Sequence, residues 1–346
     1  MLFRSVEYNG STFVADDASI LEIKADGTKK THYIAGMPDY CCPQSLNVYD
    51  GKLYFTARHK DGTMDSEKVI KRVMSAPITD ISAMTTLFTL EAESEFYEDR
   101  KDMLVAHGFI HIVTLSYNYQ VFSMFGEKVS ESHFDVKGSS HWNGAYDLGW
   151  VFGEDRIIHW NNKEDYVAQI PLYGAELKVP IIEVITHKEI VGDKFNKYSK
   201  YQAVGFINGE LYLFIQDKDA VRPDDTGIYT YDVNTGLQKV FSGTENVYKA
   251  STIFTKDEMF VLYIWNNNRK IETRLWRMAL DGSNSSDNIT ITTSSLYNLS
   301  YNNDLEPTDY SNICGDSIYI VVDKVVSTHS DDETRHWSTV LPVRKH

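Results

Sequence analysis

Three cysteines, two of them adjacent at Cys41-Cys42, are too few for a disulfide framework. Long apolar runs are missing: none approaches the ~18 residues that span a bilayer. Met1–Tyr8 alternates charged and apolar residues and lacks the apolar centre of a leader. These absences set the expectation of a chain that works in the reducing cytoplasm. Asn-x-Ser/Thr sites at Asn9, Asn284, Asn288 and Asn298 are what an Asn-, Ser- and Thr-rich chain yields by accident. Basic stripes are absent as well, and the formal net charge is −15. Phosphate backbones and anionic lipid surfaces repel such a chain, so neither nucleic acid nor membrane is an expected partner. The acidity serves solubility and favours any partner that is basic. Helical periodicity is nearly missing, since only Asp80–Met84 and Lys188–Lys197 could hold a turn of helix. Parallel α/β folds are thereby excluded.

Motifs of catalysis are also wanting. The chain has no Gly-x-Ser-x-Gly elbow, no Gly-x-Gly-x-x-Gly, no phosphate loop and no Ser-x-Asp-x-Gly-x-Thr-Trp box. Cys41-Cys42 lies in a loop-like stretch with no second cysteine pair to complete a zinc site. His107 and His111 are separated by a turn at Gly108, and His329 and His336 by an acidic loop, so neither pair has ligand spacing. The carboxylates of Asp61–Asp65 and Asp217–Asp225 lack the alternation and distal Glu of a calcium loop. No catalytic residue, metal or cofactor is expected, and enzymatic activity is left open with the balance against it.

What the chain does have is strands. Aromatic residues make up 13%, with 22 Tyr, and they alternate with β-branched residues around tight turns. In Gln202–Gln216 one apolar strand ends at Ile207, turns at Asn208-Gly209 and returns as Leu211–Ile215. Asn-Gly can adopt positive φ at both turn positions, which makes this a hairpin signal. Related pairs occur at Ser5–Val14, Leu46–Phe55, Met103–Val113, Trp150–His159, Ser251–Ile264 and Ser311–Val322. The seven turns fall on average about 51 residues apart, room for four short strands each, as in propeller repeats. The chain therefore reads as all-β, a single β-propeller domain over 1–346, most simply with seven four-stranded blades. Their expected limits are 2–34, 45–90, 103–136, 145–185, 201–242, 250–293 and 310–346. The last blade shows no fourth strand, so six blades plus a closing element is the alternative. Leu2–Glu7 could begin the first blade or cover the edge of the last.

The stretches Ile20–Thr28, I-L-E-I-K-A-D-G-T, and Leu275–Ser283, L-W-R-M-A-L-D-G-S, resemble the strand-plus-Asp-Gly turns of low-density-lipoprotein-receptor-type propellers. They are also similar to bacterial and viral relatives of uncharacterised role. The Tyr-Trp-Thr-Asp signature of the receptor group is missing, so the resemblance implies the fold and carries over no site.

The informative segments join each blade's outer strand to the next blade's inner strand: Ala35–Gln44, Glu91–Asp102, Lys137–Asp147, Thr186–Lys200, Ser242–Lys249 and Ser294–Asp309. In a propeller these emerge on one face. They carry the candidate binding residues Tyr40, Tyr97, His141, Trp142, Tyr146, Tyr198, Tyr248 and Tyr301, beside Phe96, Phe195 and Tyr297, with Asp39, Glu93, Glu95, Asp99 and Asp304 interleaved. Connecting loops are ordinarily polar, and rings among carboxylates on rigidly supported loops suit recognition. The expected function is a non-enzymatic binding scaffold for a protein or peptide. The alternative is a carbohydrate-binding or glycan-processing propeller, including a viral or bacterial attachment protein.

Overall fold

The computed structural model describes residues 5–16, 19–34, 42–61, 68–90, 101–114, 118–133, 148–161, 166–179, 181, 184–186, 200–207, 209–216, 227–232, 234–242, 247–254, 258–267, 270–279, 286–291, 305–307, 312–314, 317–327 and 334–344. They form seven antiparallel sheets, taken here in chain order. The first holds β1 (Ser5–Tyr8), β2 (Ser11–Asp16), β3 (Ser19–Lys24) and β4 (Lys29–Tyr33). The second holds β5 (Cys42–Tyr49), β6 (Lys52–Asp61), β7 (Lys68–Pro77) and β8 (Thr85–Leu90). The third is β9 (Lys101–Ala106), β10 (Phe109–Thr114), β11 (Asn118–Ser123) and β12 (Lys128–His133). The fourth is β13 (Leu148–Phe152), β14 (Arg156–Asn161), β15 (Tyr166–Pro171) and β16 (Val184–Thr186). The fifth is β17 (Lys200–Ile207), β18 (Glu210–Gln216), β19 (Gly227–Asp232) and β20 (Gly236–Ser242). The sixth is β21 (Val247–Phe254), β22 (Glu258–Asn267), β23 (Lys270–Ala279) and β24 (Ser286–Ile291). In these six the strands pair in sequence order.

The seventh sheet differs. β25 (Leu305–Pro307) and β26 (Asn312–Cys314) both pair with β27 (Ser317–Ser327), and β28 (Thr334–Arg344) pairs with β27 as well. Its first ladder position is thus a broken strand, and among the described residues it has no outer fourth strand. β1 hydrogen-bonds β2 within the first sheet, so the N-terminal strand begins the first sheet rather than completing the last.

All seven expected hairpins form, and turn chemistry explains where. Asn9-Gly10, Asp50-Gly51 and His107-Gly108 each have positive φ at both residues, the geometry that matches strand twist in a two-residue turn. Several of the expected limits shift by a few residues. β12 covers Lys128–His133 and so ends three residues inside the expected limit of 136. β21 starts at Val247 and β16 is only Val184–Thr186. Helix among the described residues is one 3-10 turn, Ile78–Asp80, just ahead of the expected Asp80–Met84, and Lys188–Lys197 lies outside them. No helix among the described residues is long and apolar enough to cross a membrane.

By its contacts the chain divides into two compact units, Met1–Val136 with Tyr310–Ile320 and Leu341–His346, and Lys137–Asp309 with Val321–Val340. Within the first unit β5 lies beside β1 and β2, β9 lies beside β5, and β26 lies beside β1. The second strands β2, β6, β10, β14 and β18 are buried on both faces, so they read as continuous apolar runs rather than alternating ones. β6 shows how this works. Leu53, Phe55 and Ala57 join Phe13, Ile20 and Leu46 in one core, while Tyr54, one residue out of phase, joins Met103, Ile110 and Ile112 in the next. Truncating a residue such as Phe55 would cost about 3–5 kcal/mol. Two of the fourth strands, β4 and β12, are polar and mostly exposed, as in K-V-S-E-S-H of β12.

Asn47 ties two first strands together. Its Nδ2 donates to Met103 O at 3.1 Å, and its Oδ1 accepts from Val105 N at 3.1 Å. The side-chain amide thus fills the place of a peptide group, satisfying backbone that would otherwise be buried without partners. Ser45 Oγ accepts from Met103 N at 3.3 Å and extends the bridge.

In the second unit β17 lies beside β13 and β14. Arg156 of β14 is 1% exposed. Asp155 takes it by a fork, with Nε to Oδ1 at 2.6 Å and Nη2 to Oδ2 at 3.0 Å. Gln169 Oε1 accepts from Nη1 at 2.8 Å, Val179 O from Nη2 at 3.2 Å, and the guanidinium lies 4.2 Å from the centre of the Phe206 ring. A buried cation is tolerable only with this degree of pairing.

Candidate functional site

Each up-and-down sheet has two ends. The turns between first and second strands lie at the same end as those between third and fourth. The second-to-third connections, and the links onward to the next sheet, lie at the other. The onward links are the segments 34–41, 91–100, 134–147, 187–199, 243–246 and 292–304, and all six leave a fourth strand and enter the first ladder position of the next sheet. Tyr40, Tyr97, His141, Trp142, Tyr146, Tyr198 and Tyr301 belong to these links and lie outside the described residues. Tyr248 does not belong to a link. It is a strand residue of β21, at the register shift between Val247, opposite Trp265, and Lys249, opposite Ile264. Val-Tyr favours extended backbone enough to carry the strand three residues further toward its N-terminus than expected. Likewise, Cys42 is the first residue of β5, opposite Arg58, rather than part of a loop; Cys41 lies outside the described residues.

At the opposite end, the carboxylates of Asp26 and Asp232 are occupied by their own turns. Asp26 Oδ1 accepts from Thr28 N at 2.8 Å, and this backbone bond holds its carboxyl below the usual range. Asp232 Oδ1 accepts from Asn234 N at 2.8 Å and Thr235 N at 3.0 Å, with the same effect. Asp26-Gly27-Thr28 is the Asp-Gly turn of the resemblance, with Gly27 at φ +83; Asp281-Gly282-Ser283 lies outside the described residues. The most exposed ring among the described residues at this end is Phe125, in the β11–β12 turn.

The buried ionisable groups were not identified from the sequence. His111 Nε2 donates to Ala106 O at 3.0 Å, so its Nδ1 accepts from the Tyr119 hydroxyl at 2.8 Å. In the next sheet His159 uses the reverse tautomer. Its Nδ1 donates to Gly149 O at 2.8 Å, and its Nε2 accepts from Tyr166 OH at 3.3 Å. Each imidazole thus ties a carbonyl of the first strand to a tyrosine of the third. Burial pushes both down to about 4, so both are neutral at pH 7. They serve as structural cross-braces rather than proton shuttles. Among the described residues no group of three or more His, Cys, Asp or Glu is arranged to hold a metal ion.

No protein-family model matches the sequence, and no curated protein matches it. Likeness appears among solved structures. Raptor from Chaetomium thermophilum aligns with a TM-score of 0.53 and 10% identity, over 92% of this chain and 26% of Raptor. This chain thus spans about a quarter of Raptor's length. A candidate 6-phosphogluconolactonase from Bacteroides uniformis aligns with a TM-score of 0.50 and 11% identity, over 100% of this chain and 97% of the other. The WD40 domain of SCAP from fission yeast gives 0.45 and 10% identity, over 100% and 88%. At such identities the likeness concerns fold alone. The chain is an all-β protein of the propeller class, built from repeated four-stranded antiparallel sheets. No specific tie to the low-density-lipoprotein-receptor group emerges.

Proposed function

We propose that the chain is a non-enzymatic binding scaffold, a single seven-bladed propeller whose onward links form the face that engages a protein or peptide. One observation carries the reading. The six links all depart from the same end of their sheets, and they hold Tyr40, Phe96, Tyr97, Trp142, Tyr146, Tyr198 and Tyr301 among carboxylates. Rings on loops held by rigid sheets lose little entropy on binding, which is why Tyr and Trp dominate such surfaces. The net charge of −15 favours a basic partner.

Trp142 gives the sharpest test. It lies in Gly138–Gly144, G-S-S-H-W-N-G, whose small residues offer little local material to bury an indole. An exposed anchor truncated to Ala should change stability by under about 0.5 kcal/mol and cost about 2 kcal/mol or more of binding. A ring that plugs the fold should instead cost about 3–5 kcal/mol of stability. The partner would be captured by pull-down, beside a glycan array, and Trp142→Ala compared with wild type by denaturation and affinity. Early unfolding with unchanged affinity would overturn this face as the site. Capture of glycans alone, with binding indifferent to ionic strength, would overturn the protein-partner reading.

A further inference from the structure

A second surface lies at the other end of the sheets, in the β11–β12 turn. The backbone of this turn is closed on itself. Ser123 N donates to Glu127 O at 2.8 Å and Gly126 N to Ser123 O at 2.9 Å, while Ser123 Oγ accepts from Phe125 N at 3.3 Å and Glu127 N at 3.2 Å. Gly126, at φ +88, is pressed against β8: a Cβ there would stand 2.8 Å from the Phe88 ring and 3.2 Å from Leu87 O. The tip is therefore fixed in place, yet Phe125 stands 88% exposed.

It does not stand alone. Leu87, Phe88 and Met124 are only partly buried at the rim of the core between the second and third sheets, with Phe88 stacked on Phe122 at 4.4 Å. Scattered apolar residues on a surface are ordinary, but a rigid exposed ring on a turn pressed against a half-open apolar rim is a binding feature. Charge indicates the occupant. Lys128, the cation of the turn, is held by Glu131 at 2.9 Å, and Gln120 Nε2 donates to the other Glu131 oxygen at 2.8 Å. Glu127 is left exposed beside Phe125 with no cation paired to it among the described residues. Asp80, whose Oδ1 accepts from Ser82 Oγ, is exposed in the β7–β8 connection at the same end of the neighbouring sheet. A second copy of a chain of net charge −15 is disfavoured here.

We infer that Phe125, with the rim formed by Leu87, Phe88 and Met124, is a docking surface for an extended segment of a partner protein that presents an apolar side chain next to Lys or Arg. This surface is separate from the onward links and stands or falls independently of them.

A phage-displayed library of random dodecapeptides, selected on the full-length protein and depleted on Phe125→Ala, provides an unbiased probe. The expected outcome is enrichment of peptides with an aromatic or large aliphatic residue adjacent to Lys or Arg. Synthetic versions should bind wild type at least tenfold tighter than Phe125→Ala and severalfold tighter than Glu127→Lys, with both variants melting within a degree or two of wild type. Peptides that survive depletion and bind both forms equally, enriched motifs that are acidic, or no enrichment at all would each overturn the inference. So would sedimentation showing a wild-type dimer that Phe125→Ala dissociates.

Discussion

At the residue scale, the polar core was the part hidden from sequence reading. His111 and His159 are single letters in strand-like stretches, and nothing near them in sequence announces a brace. Tyr119 and Tyr166, which complete them, come from the following strand, so the pairs exist only once register is fixed. Arg156 is the same case, since Gln169 and Val179 reach it from later segments. The braces have a pH signature with a definite sign. The unfolded chain takes up protons near pH 6.5, whereas folded His111 and His159 resist until about 4. Their contribution is thus complete above pH 6.5 and is lost as pH falls toward 4. Each should cost about 2 kcal/mol by pH 5, at roughly 1.4 kcal/mol per unit. The lowered carboxyls of Asp26, Glu131, Asp155 and Asp232 act in a more acidic window, as pH falls below the ordinary carboxylate range. Urea denaturation at pH 7.5, 6 and 5 should therefore show stability falling steeply, and His111→Gln with His159→Gln should flatten the fall. A wild-type protein equally stable at pH 7.5 and 5 would contradict the braces.

At the element scale, most of the fold was legible, because turns and second strands carry local signals. Asn9-Gly10 and Asp50-Gly51 name their own conformation, and runs such as Leu211–Ile215 announce burial on both faces. The outer strands were harder to place. β12 has no apolar alternation to mark it, since it faces solvent, and its start was set by the compact turn at Gly126, whose cause lies in β8. Two glycines separate backbone strain from crowding. Gly51, at φ +69, would place a Cβ within 4 Å of nothing, so Gly51→Ala tests the conformational cost alone, about 1 kcal/mol. Gly126→Ala adds a collision with Phe88 and should cost about 1–3 kcal/mol more. Equal losses for the two variants in chemical denaturation would mean that the β11–β12 turn does not press on β8, which would also remove the support of Phe125.

At the scale of the whole molecule, the sequence conveyed the count of sheets but not their closure, because closure depends on pairings between distant segments. The seventh sheet carries that question. β27 runs from Ser317 to Ser327 and passes from the first compact unit into the second between Ile320 and Val321. β28 passes back between Val340 and Leu341. Both strands are thus divided between the two units along their length. If the chain is one domain, heat should unfold it in one transition whose van't Hoff and calorimetric enthalpies agree. For 346 residues that enthalpy is about 240 kcal/mol near 60 °C, from ~0.7 kcal/mol per residue. Units that melt independently would instead give a van't Hoff value near half the calorimetric one, or two resolved peaks. Scanning calorimetry distinguishes these outcomes directly. A halved van't Hoff enthalpy would end the single-domain reading.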